Sequence, residues 1–517
     1  FKLVPGSSFS ASAGTSADNQ VINVARHPIT SDVDEAFRII AANYGGDKPA
    51  TASMVNSAIE GMLLALDPHS SYFNAAEFRQ MLDEQNSGYF GIGTTIADYE
   101  FGADVGTFVV SVNPDSPAES AGLKYGDRII GVASESMAGK TSEYVRDVIR
   151  GKSGTTVSIK VERANGETAE LNARRTRVEQ PTVGDAYVLR DGIGYIDLTD
   201  GFNYTTDGEI ERALKSLRRS GSKSLILDLR GNSGGILEQA VKVAGRFLPA
   251  GEIVVSQRGR SGFDNRVWRS SNDDPEKMPI VVLVNEDSAS ASEVVVGAFQ
   301  DHCRAVIVGE KTFGKGLVQS VIDLPSGGGL ALTTARYYTP SGRSLQRDYA
   351  AGLYAYFNHK ATAAARQLGE TSQKQAMRNG DGITPDYFFP AEKLSTEQIL
   401  LLDPMFFFVR KMTAAANEKH NPAVSADRKM QSLIPDSFAG FVQQSGNESI
   451  AAVARAAKQF VAQRLNRELT LASAGQKAAG RATIKSDPLV AFAISVMPRA
   501  AQLADAAFHP RRHAKKR

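Results

Sequence analysis

The chain has 517 residues, which exceeds what one hydrophobic core holds, so we expect roughly three or four domains. Its 59 basic and 57 acidic residues leave a net charge of +2, which gives no general reason to expect a nucleic-acid partner. Cys303 is the single cysteine, so an intrachain disulfide is excluded. The cysteine count therefore does not indicate whether the protein works in a reducing or an oxidising compartment.

The N-terminal part of the chain is predicted to be a leader followed by helices. Residues 1–30 are rich in Ser, Ala, Gly and Thr and predict a flexible leader, and apolar residues at helical spacing predict a helical region over 31–85. The chain begins at Phe1 rather than Met, so we expect an upstream signal or anchor outside it. It has no run of eighteen apolar residues and hence no expected membrane span. His69 lies in a turn after the second helix and is interpreted as a packing or turn histidine.

A small mixed module follows over residues 86–178. It opens with the glycine-rich run 88–93 and continues with Ser-Pro-Ala, Gly-Leu and Gly-Asp-x-Ile between residues 116 and 130, and this block resembles a PDZ domain. Such a loop exposes backbone N–H groups, so Gly91, Ile92 and Gly93 would bind a terminal carboxylate while the adjacent strand edge pairs with the peptide. The alternative is that these glycines only make turns.

Strands and helices alternate over residues 179–390, which predicts an α/β core. An Ala- and Gln-rich insert over 349–379 interrupts this core and is predicted to be helical. Residues 391–517 are Ala-rich, with a predicted helical structure, and end in a basic tail over 511–517 that we expect to be solvated.

Three alternating serines occur inside the core, at Ser288, Ser290 and Ser292. A β-branched run precedes them and a predicted helix follows from Glu293, so the serines lie at a strand-to-helix turn where a helix N-terminus favours a developing oxyanion. A serine hydroxyl becomes a good nucleophile when a neighbouring base removes its proton. The spacing does not decide which serine would react, and Ser290-x-x-Glu293 also fits a capping box with a purely structural role.

Lys315 follows in Gly314-Lys315-Gly316, and a desolvated lysine amine can act as that base. The segment 309–315 also fits the beginning of a phosphate-binding loop. That motif requires Ser or Thr at the next position and then a helix, whereas Gly316 and a predicted strand over 317–323 follow here. Both the residue after Lys315 and the predicted strand that follows it therefore argue against an ATPase.

Gln319 is predicted to face the same side of this strand as Lys315, because side chains alternate and the two are four residues apart. Gln319 could then accept or donate a hydrogen bond that fixes the lysine. The alternative is an ordinary polar strand residue.

These blocks resemble the carboxyl-terminal processing proteases, which are tail-specific serine peptidases with a PDZ domain and a Ser-Lys dyad. The likeness covers roughly residues 60–390 and includes the serine block, the Val-Gly-Glu-Lys-Thr-Phe-Gly-Lys-Gly block ending at Gly316, and Asp-Leu-Arg-Gly-Asn-Ser-Gly-Gly over 228–235. The resemblance implies a ClpP/crotonase-like protease core and a PDZ domain. With the N- and C-terminal helical regions predicted above, the expected fold class is a multidomain α/β protein.

The resemblance also implies roles for particular residues. Ser290 would be the nucleophile, Lys315 the general base and Gln319 the residue that orients the lysine. The turn 228–235 would supply an oxyanion N–H from Gly235, together with that of Ala291. Because the family commonly has Pro where this chain has Ser233, the choice between Gly234 and Gly235 stays open. Asp301 matches a less direct supporting position, with a helix-end carboxylate as the alternative.

We therefore expect a serine endopeptidase of the cell envelope, periplasmic or secreted, that cleaves protein substrates near their C-termini. The PDZ module would capture the free C-terminus of the substrate, or gate the site until it does. No metal or organic cofactor is implied. Expected partners are proteins or peptides with a free C-terminus, and the protein could also form a homo-oligomer or work with an adaptor protein. The alternative function is a non-catalytic PDZ scaffold or chaperone that binds peptides.

Overall fold

The computed structural model describes residues 28–47, 50–86, 88–358, 369–370, 380–418 and 428–508. Residues 1–27 of the predicted leader, most of the predicted insert and the basic tail lie outside the described residues. The described α-helices are, in chain order, α1 (Pro28–Asn43), α2 (Thr51–Leu64), α3 (Ala75–Gln85), α4 (Pro117–Ala121), α5 (Ser142–Ile149), α6 (Thr206–Arg219), α7 (Leu237–Gly245), α8 (Ala291–Asp301), α9 (Leu353–Phe357), α10 (Thr396–Ile399), α11 (Leu402–Glu418), α12 (Arg428–Gln444), α13 (Glu448–Ala456), α14 (Lys458–Lys485), α15 (Pro488–Ser495) and α16 (Met497–Phe508).

The described strands are, in chain order, β1 (Ser71–Phe73), β2 (Gly88–Gly91), β3 (Thr94–Phe101), β4 (Asp104–Val112), β5 (Arg128–Val132), β6 (Glu135–Ser136), β7 (Thr156–Glu162), β8 (Thr168–Arg174), β9 (Thr176–Glu179), β10 (Asp185–Val188), β11 (Ile193–Asp197), β12 (Ser224–Asp228), β13 (Ile253–Gly259), β14 (Arg266–Arg269), β15 (Ile280–Val284), β16 (Val306–Gly309), β17 (Leu317–Asp323), β18 (Gly329–Tyr338), β19 (Gly369–Glu370) and β20 (Tyr387–Phe388).

The chain folds into two compact units, each built from separated segments. One unit contains the described residues of 1–87, 181–390 and 495–517, and the other contains those of 88–180 and 391–494. The C-terminal region, predicted as one stretch over 391–517, is therefore divided between the units. The helix α1 begins at Pro28, three residues before the predicted start of the helical region.

A mainly parallel sheet forms the centre of the first unit. Its strand order is β10-β11-β12-β15-β16-β20-β19, with parallel pairs from β11 through β20 and antiparallel pairs at the two edges. All residues of β12, β15 and β16 are buried, as expected for parallel strands covered on both faces. Helices α6, α7 and α8 contribute their apolar faces to the same hydrophobic core. The alternation in the sequence thus predicted the α/β core correctly.

A second, antiparallel sheet of this unit positions the chain around Lys315. Its order is β1-β18-β13-β14, and β17 pairs with β18 over Leu317–Asp323. The pairing contains a bulge between Val318 and Gln319, because Val318 faces Ala335 whereas Gln319 faces Thr333. A bulge of this kind re-aims the side chains that follow it.

The second unit contains the module that resembles a PDZ domain. Its sheet has the order β3-β4-β5-β7-β8, with β6 added on β5, and α5 and part of α4 complete a separate apolar core. The pair β2–β9 lies at the ends of the module. Strand β3 is an edge strand of the sheet, which leaves one side of its backbone for other partners.

Aromatic side chains join this module to the helices of residues 391–494. Phe406 of α11 stacks on Tyr99 with ring centroids 3.9 Å apart and contacts the edge of Phe108, which is completely buried. Arg410 donates to the carbonyl of Gly126 at 2.6 Å, and its guanidinium lies over the Phe108 ring. The PDZ-like module and these helices therefore share one packed interface within the unit.

We predict that Phe406→Ala destabilises this unit by about 3–5 kcal/mol, because truncating a buried aromatic residue leaves a cavity. Ile399→Ala is the matched control, since Ile399 is 54% exposed. Denaturant unfolding followed by circular dichroism measures both variants, and a Phe406→Ala loss no larger than that of Ile399→Ala contradicts the prediction.

Candidate active site

Three loops meet at one edge of the parallel sheet. They are 229–235 after β12, 285–290 after β15 and 310–316 after β16. Because the three strands are adjacent and parallel, the loops leave the same carboxyl edge, where open α/β sheets place their sites. The serine, lysine and oxyanion segments predicted from the sequence are these three loops.

Ser290 lies at the junction of its loop and α8 in a strained backbone conformation. Its φ of 56° and ψ of −115° are rare for a residue with a side chain, and such strain persists only where the surrounding structure enforces it. The residue is completely buried. It occupies the N-cap of α8, where the Glu293 side chain accepts its backbone N–H, and its Oγ has no hydrogen-bond partner among the described residues.

The two neighbouring serines are engaged in structural hydrogen bonds. Ser288 Oγ donates to the carbonyl of Leu229 at 2.8 Å and accepts the N–H of Asn285 at 3.0 Å. Ser292 Oγ donates to the carbonyl of Asn232 at 2.9 Å. Of the three serines that the spacing left open, Ser290 is the one whose hydroxyl has no structural task.

Glu293 connects the serine loop to the lysine loop. Its Oε2 accepts the backbone N–H of Ser290 at 2.9 Å and that of Lys315 at 2.8 Å. Its Oε1 accepts the N–H of Gly314 at 2.8 Å and the hydroxyl of Thr312. Burial raises the pKa of Glu293 to about 7, against these four hydrogen bonds, which favour the carboxylate. The sequence indicated Glu293 only as a capping residue and gave no signal for its part in holding the two loops together.

Lys315 lies in a nearly closed environment, with 4% of its surface exposed. Burial lowers its pKa from 10.5 to about 8, and the carboxylates of Asp67 and Glu293 oppose this shift. The strand predicted over 317–323 is confirmed as β17, and Lys315 lies two residues before it. With the bulge before Gln319 as well, alternation along one strand does not decide whether the two side chains share a side.

Gln319 is nevertheless completely buried in the same region. Its Nε2 donates to the hydroxyl of Thr333 at 3.0 Å, while its Oε1 has no hydrogen-bond partner among the described residues. An amide held at its donor end, with a buried acceptor left over, is suited to receive a hydrogen bond from an ammonium group.

The turn after β12 packs directly against Ser290. Asn232 accepts the N–H of Ala289 on its carbonyl at 3.0 Å, and its side-chain oxygen accepts the N–H of Gly234 at 2.9 Å. Among the described residues the N–H groups of Gly235 and Ala291 have no hydrogen-bond acceptor. The N–H of Gly234 is already bonded to Asn232 within the turn. Of the two glycines that the sequence left open as the oxyanion donor, Gly235 is therefore favoured.

Gly235 is required by its surroundings. Its φ is +136°, and a Cβ at this position would lie 2.1 Å from the carbonyl oxygen of Phe202. Behind the turn, the buried Asp228 accepts from Tyr195 Oη at 2.8 Å and from the Arg230 guanidinium at 2.6 Å, which fixes the end of β12.

Asp301 lies at the other end of the helix that Ser290 begins. Eleven residues at about 1.5 Å each place it roughly 16 Å away along the axis. Its carboxylate pairs with the buried Arg343 and accepts the N–H of Ser341 at 2.9 Å. In the structure Asp301 is a helix-end carboxylate that anchors α8, and it makes no contact with the serine.

The three residues predicted to bind peptide lie before the edge strand β3 in the second unit. Ile92 is buried, and its carbonyl accepts the N–H of Ala118 at 2.8 Å. Gly93 has φ +79°, and its carbonyl accepts the N–H of Asn113 at 3.0 Å, while Gly91 pairs with Thr176. Further along the edge, Asp403 of α11 accepts the N–H of Glu100 at 3.0 Å, so the helix covers that end of β3.

Within the part of the chain that the structure describes, no group of three or more His, Cys, Asp or Glu side chains could hold a metal ion. In the same residues no single helix is long and apolar enough to cross a membrane. Helices α15 and α16 pass the length and composition test only as a pair, bent by 47°.

Comparisons with known proteins agree with the two domains. Residues 192–352 match the model of peptidase family S41, and residues 108–163 match that of the PDZ domain. The chain is 39% identical over 305 residues to the carboxy-terminal-processing protease of Bartonella bacilliformis, covering 58% of this chain and 68% of that protein. It is 32% identical over 316 residues to the carboxy-terminal processing protease CtpA of Bacillus subtilis, covering 61% and 66%.

Among solved structures, the photosystem II D1 C-terminal processing protease matches with a TM-score of 0.37 and 28% identity, over 71% of this chain and 88% of that one. The two sequence relatives are matched over about two thirds of their own lengths.

An α/β core of peptidase family S41 combined with a PDZ domain defines the class of the protein. Within that class, the chain belongs to the carboxy-terminal-processing proteases. The predicted family and the predicted fold class, an α/β protease core with a PDZ domain and helical regions, are both confirmed.

We predict that Glu293→Gln weakens the joint between the serine and lysine loops. Both carboxylate oxygens of Glu293 accept hydrogen bonds, and the substitution replaces one of them by an NH2 group, which cannot accept. The donors on that side then lose their acceptor, and each unsatisfied buried donor costs about 1–3 kcal/mol. We expect a clear loss of stability and at least a tenfold loss of any peptidase activity. Thermal unfolding and a peptide-cleavage assay measure the two, with the exposed Glu286→Gln as the control. Wild-type stability and activity in Glu293→Gln would contradict this account of the joint.

Proposed function

We propose that the protein is a serine endopeptidase that cleaves protein substrates near their C-termini through a dyad of Ser290 and Lys315. One observation carries the proposal. The serine whose hydroxyl is unengaged among the described residues and the lysine with the buried amine have their backbones bound to the same carboxylate oxygen of Glu293. Membership of the family supports the same assignment.

The reaction begins when the neutral amine of Lys315 takes the proton of Ser290 Oγ. The oxygen then attacks the substrate carbonyl carbon, and the carbonyl electron pair moves onto its oxygen. The N–H groups of Gly235 and Ala291 stabilise this oxyanion. When the intermediate collapses, the C–N bond breaks and the lysine ammonium gives its proton to the leaving amine.

Water completes the cycle by attacking the acyl-enzyme, with Lys315 again as base. Gln319 supports both halves of the reaction, because its Oε1, which no described residue engages, can accept a hydrogen bond from the ammonium form of the lysine. No step requires a metal or an organic cofactor.

The PDZ domain is proposed to capture the substrate C-terminus. The loop Gly91–Gly93 would bind the carboxylate, and the edge of β3 would pair with the peptide backbone. Because Asp403 occupies the N–H of Glu100, the pairing segment would be restricted to the beginning of the strand.

Access to the serine is proposed to be gated. Ser290 is completely buried, so a substrate reaches it only after neighbouring groups move, and peptide capture by the PDZ domain is a suitable trigger. A location in the cell envelope, periplasmic or secreted and directed by an upstream signal, is also proposed. Exposed apolar residues on α1 and α2, such as Ile39 and Met62, support the proposal of a homo-oligomer, and an adaptor protein stays a further proposal.

We predict that Ser290→Ala and Lys315→Ala each remove peptidase activity. The double variant should be no worse than either single variant, because the two residues act as one unit. Ser288→Ala in the same loop and Ser292→Ala in the first turn of α8 are matched controls. Both should retain a substantial fraction of activity, with some loss of stability from their missing hydrogen bonds. Cleavage of casein and of a C-terminally tailed reporter measures all five proteins.

A fully active Lys315→Ala protein would contradict the proposed Ser290–Lys315 dyad. A wild-type protein that binds tailed peptides but never cuts them would instead favour the non-catalytic PDZ scaffold.

We predict that amidating the C-terminus of a substrate weakens its capture, because amidation removes the charge that the loop N–H groups recognise. The change should appear mainly in KM, and in kcat too where the module gates the site. Matched free-acid and amide peptides, assayed for binding and cleavage, test this with the intact protein.

Gly93→Val provides the protein-side test, since a Cβ there would lie 2.6 Å from the Ser116 Cβ and positive φ disfavours β-branched residues. Gly102→Val is its control, because Gly102 also has positive φ but open space around it. Equal binding and cleavage of acid and amide by the wild type would rule out carboxylate capture.

A further inference from the structure

A short helix from the predicted insert closes over the lysine loop. Helix α9 begins just after residue 352, where the match to peptidase family S41 ends. Its Tyr356 is 1% exposed, whereas its neighbours Leu353, Tyr354 and Phe357 are 38%, 78% and 40% exposed. One aromatic residue of this helix is therefore committed to the interior of the first unit.

The hydroxyl of Tyr356 meets a histidine from a distant part of the chain. His69 Nε2 lies 2.7 Å from Tyr356 Oη. The imidazole ring also meets the rings of Tyr356, Phe357 and Phe313 edge-on, with centroids 5.4, 6.0 and 6.5 Å away. Phe313 is two residues before Lys315, so these rings form an aromatic wall beside the lysine loop.

The turn that carries His69 is held by several hydrogen bonds to Asp67. Asp67 Oδ1 accepts the N–H groups of His69 and Ser70 at 2.8 and 2.9 Å, and its Oδ2 accepts the Ser70 hydroxyl at 2.7 Å. Ser70 Oγ in turn accepts the backbone N–H of Thr333, and the hydroxyl of Thr333 accepts a hydrogen bond from the Gln319 side chain. The turn is thereby attached to the strand beside the predicted orienting glutamine.

Gln346 connects Tyr356 to the backbone next to the lysine. Its Oε1 accepts the N–H of Gly316 at 2.9 Å, and its Nε2 donates to Tyr356 Oη at 3.3 Å. Arg347 donates to the Tyr356 carbonyl at 3.1 Å and lies over the Phe313 ring. A continuous series of contacts therefore runs from His69 through Tyr356 and Gln346 to Gly316.

We infer that His69 and Tyr356 are positioning residues that seal the amine of Lys315 from water, with α9 as the cover. The inference rests on the proposed dyad and extends its site to a helix for which the sequence motifs give no signal. Neither residue is assigned a proton transfer.

The electrostatics around the lysine agree with a neutral cover. Burial, and then the charge of Lys315, lowers the pKa of His69 from 6.5 to about 2, so the imidazole stays neutral at working pH. Burial likewise raises the pKa of Tyr356, which keeps its hydroxyl protonated.

The charged groups around this site are Asp67 and Glu293, which favour the ammonium form, and Arg347, which pairs with Asp381 as Lys311 does. A neutral cover excludes water without adding a charge that would restore the ammonium.

The wild-type pH profile provides the reference for the test. A lysine base is active when unprotonated, so activity should rise with pH, with a midpoint of about 8. Tyr356→Ala and His69→Ala would each admit water, move the lysine pKa back toward 10.5 and raise the midpoint. If the midpoint rises by about one pH unit, activity at pH 7 should fall about tenfold and should recover at high pH.

Tyr356→Phe keeps the ring and should move the midpoint less. Tyr354→Ala, on the same helix but exposed, should leave the profile unchanged.

A second readout does not depend on activity. In a Ser290→Ala background, an amine-reactive acylating reagent followed by peptide mass spectrometry reports how exposed Lys315 is, with the partly exposed Lys311 as internal reference. At a pH high enough to leave the Lys315 amine unprotonated in both proteins, labelling of Lys315 should increase several-fold in Tyr356→Ala while Lys311 stays constant, and circular dichroism verifies that the variant is folded. Where Tyr356→Ala does not fold, His69→Ala provides the same comparison.

The outcomes separate the inference from the function beneath it. An unchanged midpoint and unchanged Lys315 labelling in folded Tyr356→Ala would overturn the seal. A His69→Ala protein that is inactive at every pH, with a wild-type midpoint in the histidine range, would overturn it too and make His69 the base. Absence of Ser290-dependent cleavage in the wild type would refute the proposed peptidase, and the labelling would still decide whether the lysine is sealed.

Discussion

The candidate site depends on one buried carboxylate. Glu293 is in the first turn of α8, yet its oxygens bind the backbone of Ser290 on one side and of Gly314 and Lys315 on the other. Two loops that leave different strands of the sheet are thereby held to one point. Because a buried carboxylate without donors would be very costly, the loops and the carboxylate stabilise one another. The positions of nucleophile and base follow from this joint.

Several locally unfavourable features coincide around that joint. Ser290 has a strained backbone, Lys315 is a buried amine, and neither the Ser290 hydroxyl nor the Gln319 side-chain oxygen has a hydrogen-bond partner in the described part of the chain. Elsewhere in the first unit the parallel strands are mainly apolar and closely packed. Strain and poorly satisfied polar groups are tolerated where function selects them, and a rigid sheet below supplies the stability that they cost.

Much of this arrangement could be predicted from the sequence, because strands and helices of the core show strong hydrophobic periodicity. The strand before Ser288 and the helix after Ser290 needed only local patterns. The joining role of Glu293 could not be predicted, since its partners are mainly backbone N–H groups, which almost any residue type supplies. Nor could the bulge before Gln319, which depends on how β17 pairs with β18. The role of Tyr356 could not be predicted for a further reason. Tyr356 lies in a segment without sequence motifs, and it contacts a histidine that is 287 residues away along the chain.

The second unit is built from two segments that are far apart in the chain, which affects how it folds during synthesis. Phe108 of the PDZ domain is buried by Phe406 and Phe407, which the ribosome adds about 300 residues later. At about 5–20 residues per second, this aromatic face stays without its partners for roughly 15–60 s. During that interval the entire segment 181–390 is made, while the PDZ domain still shows an apolar surface to chaperones. The PDZ domain is therefore made before this part of the protease core but receives its aromatic partners after it.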